Sequence, residues 1–73
     1  MVAIVIHTKF AGERTGGRVD VFLYKQKQNA DGEAVKDALA RRDELVAGRR
    51  VEETRVEPVP NFEGSEGAVH ARD

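Results

Sequence analysis

The chain has 73 residues, 40% of them apolar and 34% charged, enough for one small domain with a modest core. With no cysteine it can have neither a disulfide framework, nor a thiolate zinc site, nor a cysteine nucleophile. The net charge of −1 hides an asymmetry. Residues 1–30 set Lys9, Arg14, Arg18, Lys25 and Lys27 against only Glu13 and Asp20, whereas residues 51–73 set Arg55 and Arg72 against Glu52, Glu53, Glu57, Glu63, Glu66 and Asp73. A basic head and an acidic tail suit a binding protein.

No apolar run approaches the roughly 20 residues of a membrane-spanning helix, and Met1–Phe10 lacks the basic start of a signal peptide. The expectation is a soluble intracellular protein.

In chain order, Val2–Phe10 is rich in β-branched residues and predicts a strand. Ala11–Gly17 holds three glycines in seven positions and predicts a loop or wide hairpin turn. Arg18–Lys25 alternates in polarity and predicts a second strand. Asn29 or Asp31 is placed to cap a helix, since its side-chain oxygen accepts from free backbone N–H groups. Val35, Ala38, Leu39, Leu45 and Val46 recur at three- and four-residue spacing, one apolar stripe, and Gly48 suits the position just past the helix end. Val51–Glu57 predicts an edge strand, stopped by Pro58 and Pro60. Residues 58–73 are acidic and poor in large apolar groups, and predict a mobile tail.

The expected architecture is α+β with the order β-β-α-β. A three-stranded antiparallel sheet, in spatial order 2-1-3, carries one helix on one face, with residues 1–57 as the domain. Setting Ile4 and Ile6 beside Leu23 and Val21 makes an aliphatic set under the helix. The same register sets Val5 beside Phe22, Ala3 beside Tyr24 and His7 beside Asp20, on a face no helix covers.

Enzymatic signals are weak, and neither catalytic residues nor metal ligands nor a cofactor are expected. His7 beside Asp20 resembles a base with its orienting carboxylate, but no nucleophile has reason to be adjacent. Glu52, Glu53 and Glu57 lack metal-site spacing and predict a solvated acidic edge. The glycine-rich loop lacks the Gly-Lys-Ser/Thr ending of a phosphate loop, yet it is able to present Arg14 and Arg18 to carboxylates or phosphates. Phe22 and Tyr24 on the uncovered face suit either a protein interface or base stacking, and Phe62 is a candidate to join or cover that patch. The candidate partner-binding residues are therefore Arg14, Arg18, Phe22, Tyr24 and Phe62. Direct nucleic-acid binding through the sheet face is the alternative; the slightly negative net charge weighs against it.

Taken together, VAIVIHTKF, the AGERTGG loop, RVDVFLYK, DGEAVKDALARRDELVAGRR and the acidic NFEGSEGAVHARD resemble, in length and layout, the small RNA-polymerase-binding transcription regulators of lytic Xanthomonas bacteriophages. The resemblance spans the full chain and rests on no specific motif. It implies a non-enzymatic protein in the bacterial host cytoplasm. It further implies contact with the β′ N-terminal region and β flap of host RNA polymerase, inhibition of σ-dependent host initiation, and antitermination.

Overall fold

A computed structural model describes residues 2–13, 17–25, 32–62 and 68–71. Strands β1 (Val2–Phe10) and β2 (Arg18–Tyr24) form an antiparallel hairpin, helix α1 (Gly32–Leu45) follows, and β3 (Val51–Val59) pairs antiparallel with the other side of β1. This is the expected α+β fold with spatial order 2-1-3. A short fourth strand, β4 (Ala68–Ala71), lies parallel to β2, giving the sheet order β3-β1-β2-β4. Since β2 and β3 each run antiparallel to β1, they run parallel to each other, and α1 connects them across one face of the sheet.

Pro58 does not stop the third strand, which continues to Val59 with Pro58 opposite Ile4. On an edge strand the missing N–H of proline leaves no central ladder bond unmade. Of the segment 58–73 expected as a mobile tail, Pro58 and Val59 therefore belong to β3, and residues 68–71 form β4.

The register differs from the expected one by one residue. Ile4 faces Phe22, Ile6 faces Asp20 and Val2 faces Tyr24. Because side chains alternate between faces, this slip exchanges every β2 side chain between the two sides. Val2, Ile4, Ile6, Phe22 and Tyr24 form the core beneath Ala34 and Ala38 of α1, with Val35, Leu39 and Val56 packed partly against it. Ala3, Val5 and Val21 form a second cluster on the opposite face.

On α1 the buried positions are Ala34, Ala38 and Arg42, spaced by four, with Val46 continuing the row past the helix end. Leu45, expected on the buried stripe, is 45% exposed. The guanidinium of Arg41, 4.8 Å from the Phe22 ring centroid, covers that ring instead. Gly48 adopts φ +88°, a left-handed conformation suited to the chain's exit from the helix. The capping expected of Asn29 or Asp31 lies outside the described residues.

Candidate functional site

The β1–β2 register decides where the candidate residues go. Phe22 and Tyr24 lie under α1, 0% and 2% exposed, rather than on the open face. Tyr24 donates its hydroxyl proton to Asp37 Oδ2 at 2.8 Å, and its hydroxyl oxygen accepts from Arg41 Nη1 at 3.5 Å. Desolvation raises the Tyr24 pKa above its ordinary value of 10.0, and the hydrogen bond to the Asp37 carboxylate raises it further, while Arg41 opposes both. These two aromatics are parts of the core, so the stacking platform expected from them is not on the uncovered face.

Arg18 is also engaged inside the domain. Its Nε and Nη2 bond Asp20 Oδ2 and Oδ1 at 2.9 and 2.8 Å, a bidentate pair that neutralises a fully buried carboxylate. The expected His7–Asp20 neighbourhood does not form, because Asp20 stands opposite Ile6 on the helix side while His7 stands opposite Val19. Arg14 lies outside the described residues. Phe62 packs on the second cluster beside Val19, Leu23 and Val59. It covers the apolar half of the open face with the chain's own side chain.

The other half of that face is charged. Across β3, β1 and β2 runs a row of Arg55, His7 and Val19; in the next row Glu53 stands opposite Lys9 in the register. Over them lies an open groove of about 400 Å³, lined by His7, Lys9, Gly17, Val19, Glu53 and Arg55 among others. Its space arises where Gly17 and Val19 put little or no side chain beside the long arms of Lys9 and Arg55. Gly17 is held at φ +118°, and an added Cβ there would lie 2.2 Å from the Thr8 carbonyl oxygen. The backbone at position 17 therefore approaches Thr8 this closely only with glycine there.

Within this groove Lys9 Nζ sits 3.3 Å from Glu52 Oε2. His7 Nε2 is 3.5 Å from Glu57 Oε1, an ion-pair distance, but the geometry makes no hydrogen bond and leaves that buried nitrogen unbonded. Among the described residues, neither Arg55 nor Glu53 forms a side-chain hydrogen bond or ion pair with another group. Glu53, Arg55 and Glu57 thus project an alternating acidic, basic, acidic row from one face of β3. The sequence carries this signal as Glu-x-Arg-x-Glu, but it stays hidden until a strand and its facing are assigned.

Metal chemistry finds no ready site: among the described residues no group of three or more His, Cys, Asp or Glu side chains is placed to hold an ion. No helix among them is long and apolar enough to cross a membrane. Compared with known proteins, the chain matches no protein-family model, no curated protein and no solved structure.

Proposed function

We propose that this protein is a phage-encoded transcription regulator that acts by docking on bacterial host RNA polymerase. In this reading it inhibits σ-dependent host initiation and promotes antitermination. The reading starts from the resemblance in length and segment layout described for the sequence, and the structural observation that supports it is the open, charged half of one sheet face. The fold supplies what such a role needs, a small body with one sheet face whose charged half is left open. The contact belongs on the groove side of the sheet, around His7, Lys9 and Arg55, since Phe22, Tyr24 and Arg18 are engaged in holding the domain together. A polymerase target is reached by protein–protein docking, to which an alternating charge row contributes register and selectivity.

The test mixes the purified protein with purified Xanthomonas RNA polymerase and follows complex formation by size-exclusion chromatography. A co-eluting complex that lowers σ-dependent run-off transcription and raises terminator readthrough supports the reading. Absence of a complex overturns it. So does binding to a random single-stranded oligonucleotide that falls steeply with salt while polymerase is ignored, the signature of a nucleic-acid module.

A further inference from the structure

We infer that the open groove recognises an extended protein segment carrying a basic, acidic, basic alternation, of the form Lys-x-Glu-x-Lys. The inference rests on the reading of this protein as a partner-docking module and names the chemistry of the surface it fits.

Three observations converge. First, Glu53, Arg55 and Glu57 share one face of β3, opposite Lys9, His7 and Val5 of β1. In a strand, alternate residues repeat about every 6.7 Å, so an extended segment lying alongside presents its own alternate side chains at matching intervals. Second, these three charges are available. Arg55 and Glu53 have no bonded partner among the described residues, and Glu57 meets only the unbonded Nε2 of His7. The other groove cations are committed, Lys9 to Glu52 and Arg18 to Asp20. Third, the groove of about 400 Å³ has a floor of Val19 and Gly17, which leaves room for the stem of an incoming glutamate to lie on apolar surface.

The charge order also selects against other occupants. A single carboxylate reaches the Arg55 guanidinium in bidentate fashion. A phosphate dianion or a run of nucleic-acid phosphates meets Glu53 and Glu57 on either side of it, and like-charge juxtaposition is a strong means of rejecting a wrong partner. The edge strand itself is not offered for backbone pairing. Its charges, Pro58 and the irregularity opposite Lys9 and Phe10 are devices that keep edges from adding strands. Recognition is therefore by side chains over the face.

The experiment titrates the full chain with two capped pentapeptides, Lys-Val-Glu-Val-Lys and its charge inverse Glu-Val-Lys-Val-Glu, and with a single-stranded oligonucleotide, while amide shifts are followed by NMR. The expected result is shifts at His7, Val19 and Arg55 with the first peptide, and affinity about tenfold weaker for the inverse. In Arg55→Glu, with its folding verified by amide dispersion, preference should pass to Lys-Val-Lys-Val-Lys. Equal binding of the two pentapeptides, absence of shifts in the groove, or displacement of the peptide by the oligonucleotide overturns the inference. Polymerase binding is measured separately on the parent and on Arg55→Glu. A parent that discriminates the peptides but ignores polymerase overturns the proposed function alone. A parent that binds polymerase but does not discriminate the peptides overturns this inference alone.

Discussion

Ile4 stands directly opposite Phe22 across the β1–β2 pair, and with that pairing both aromatic rings of β2 enter the space beneath α1. Burying a side chain of this size contributes about 1.5–3 kcal/mol. In the alternative register Val21 and Leu23 would fill the same space with less apolar area and no hydroxyl for Asp37.

Phe22→Ala is accordingly expected to act on stability rather than on partner contact. Truncating a fully buried phenylalanine costs about 3–5 kcal/mol. A domain of this length has a total stability of roughly 4–11 kcal/mol. Chemical denaturation should show a large fall in midpoint or an unfolded chain at room temperature. An unchanged midpoint would show that Phe22 is not in the core.

Gly17→Ala is expected to damage the hairpin. Positive φ already disfavours alanine, and the new Cβ would sit 2.2 Å from the Thr8 carbonyl oxygen, so backbone must move. Strained backbone of this kind costs about 1–3 kcal/mol. By contrast Gly12→Ala meets no atom of the described residues within 4 Å, though its φ of +85° still carries a conformational cost. The comparison of the two midpoints isolates the clash, and equal losses would mean that the close approach at Gly17 is absent.

Why the sequence disclosed three strands and the helix, but neither the short β4 in the expected tail nor the register, follows from particular residues. The two strands, the helix and the third strand announce themselves through β-branched runs, glycine breaks and helical spacing. Strand β2, however, is apolar on both sides: Val19, Val21 and Leu23 on one, Phe22 and Tyr24 on the other. The aliphatic set of Val21 and Leu23 with Ile4 and Ile6 favours the register that puts Asp20 on the uncovered face, whereas Asp20 is buried on the helix side. The buried position of Asp20 is tolerated because Arg18, two residues away on the same face, supplies a bidentate partner. The groove was unreadable for a related reason. It depends on which β3 residues oppose His7 and Lys9, a long-range pairing that local pattern does not encode.

Tyr24 should leave a mark on the alkaline side of the stability profile. Its folded-state pKa is raised, chiefly by desolvation and then by Asp37, so the folded chain holds the phenolic proton more tightly than the unfolded chain does. The associated stability is fully present below the unfolded value of about 10, and is lost as pH rises through the folded-state pKa. Tyr24→Phe removes the hydrogen bond to Asp37 and should cost roughly 1–3 kcal/mol at neutral pH. The gap between parent and variant midpoints should then narrow above about pH 10. A gap that is constant across that range would show that the hydroxyl titrates alike in both states.

Arg18 separates a structural from a docking role most cleanly. Its guanidinium holds a carboxylate that is 0% exposed, while its own side chain is 32% exposed. Removing one member of a buried ion pair costs about 3–5 kcal/mol, because the other charge is left in a poor solvent. The partial exposure of Arg18 makes that range an upper bound, since water is able to reach part of the site. Arg18→Met should therefore lower the denaturation midpoint strongly, whereas a docking residue would leave it in place. Asp20→Asn in the Arg18→Met background removes the buried charge and should recover part of the loss, a positive coupling in a double-mutant cycle. Two losses that simply add would mean that the pair contributes nothing jointly. An unchanged midpoint in Arg18→Met, together with weakened polymerase binding, would return Arg18 to the interface.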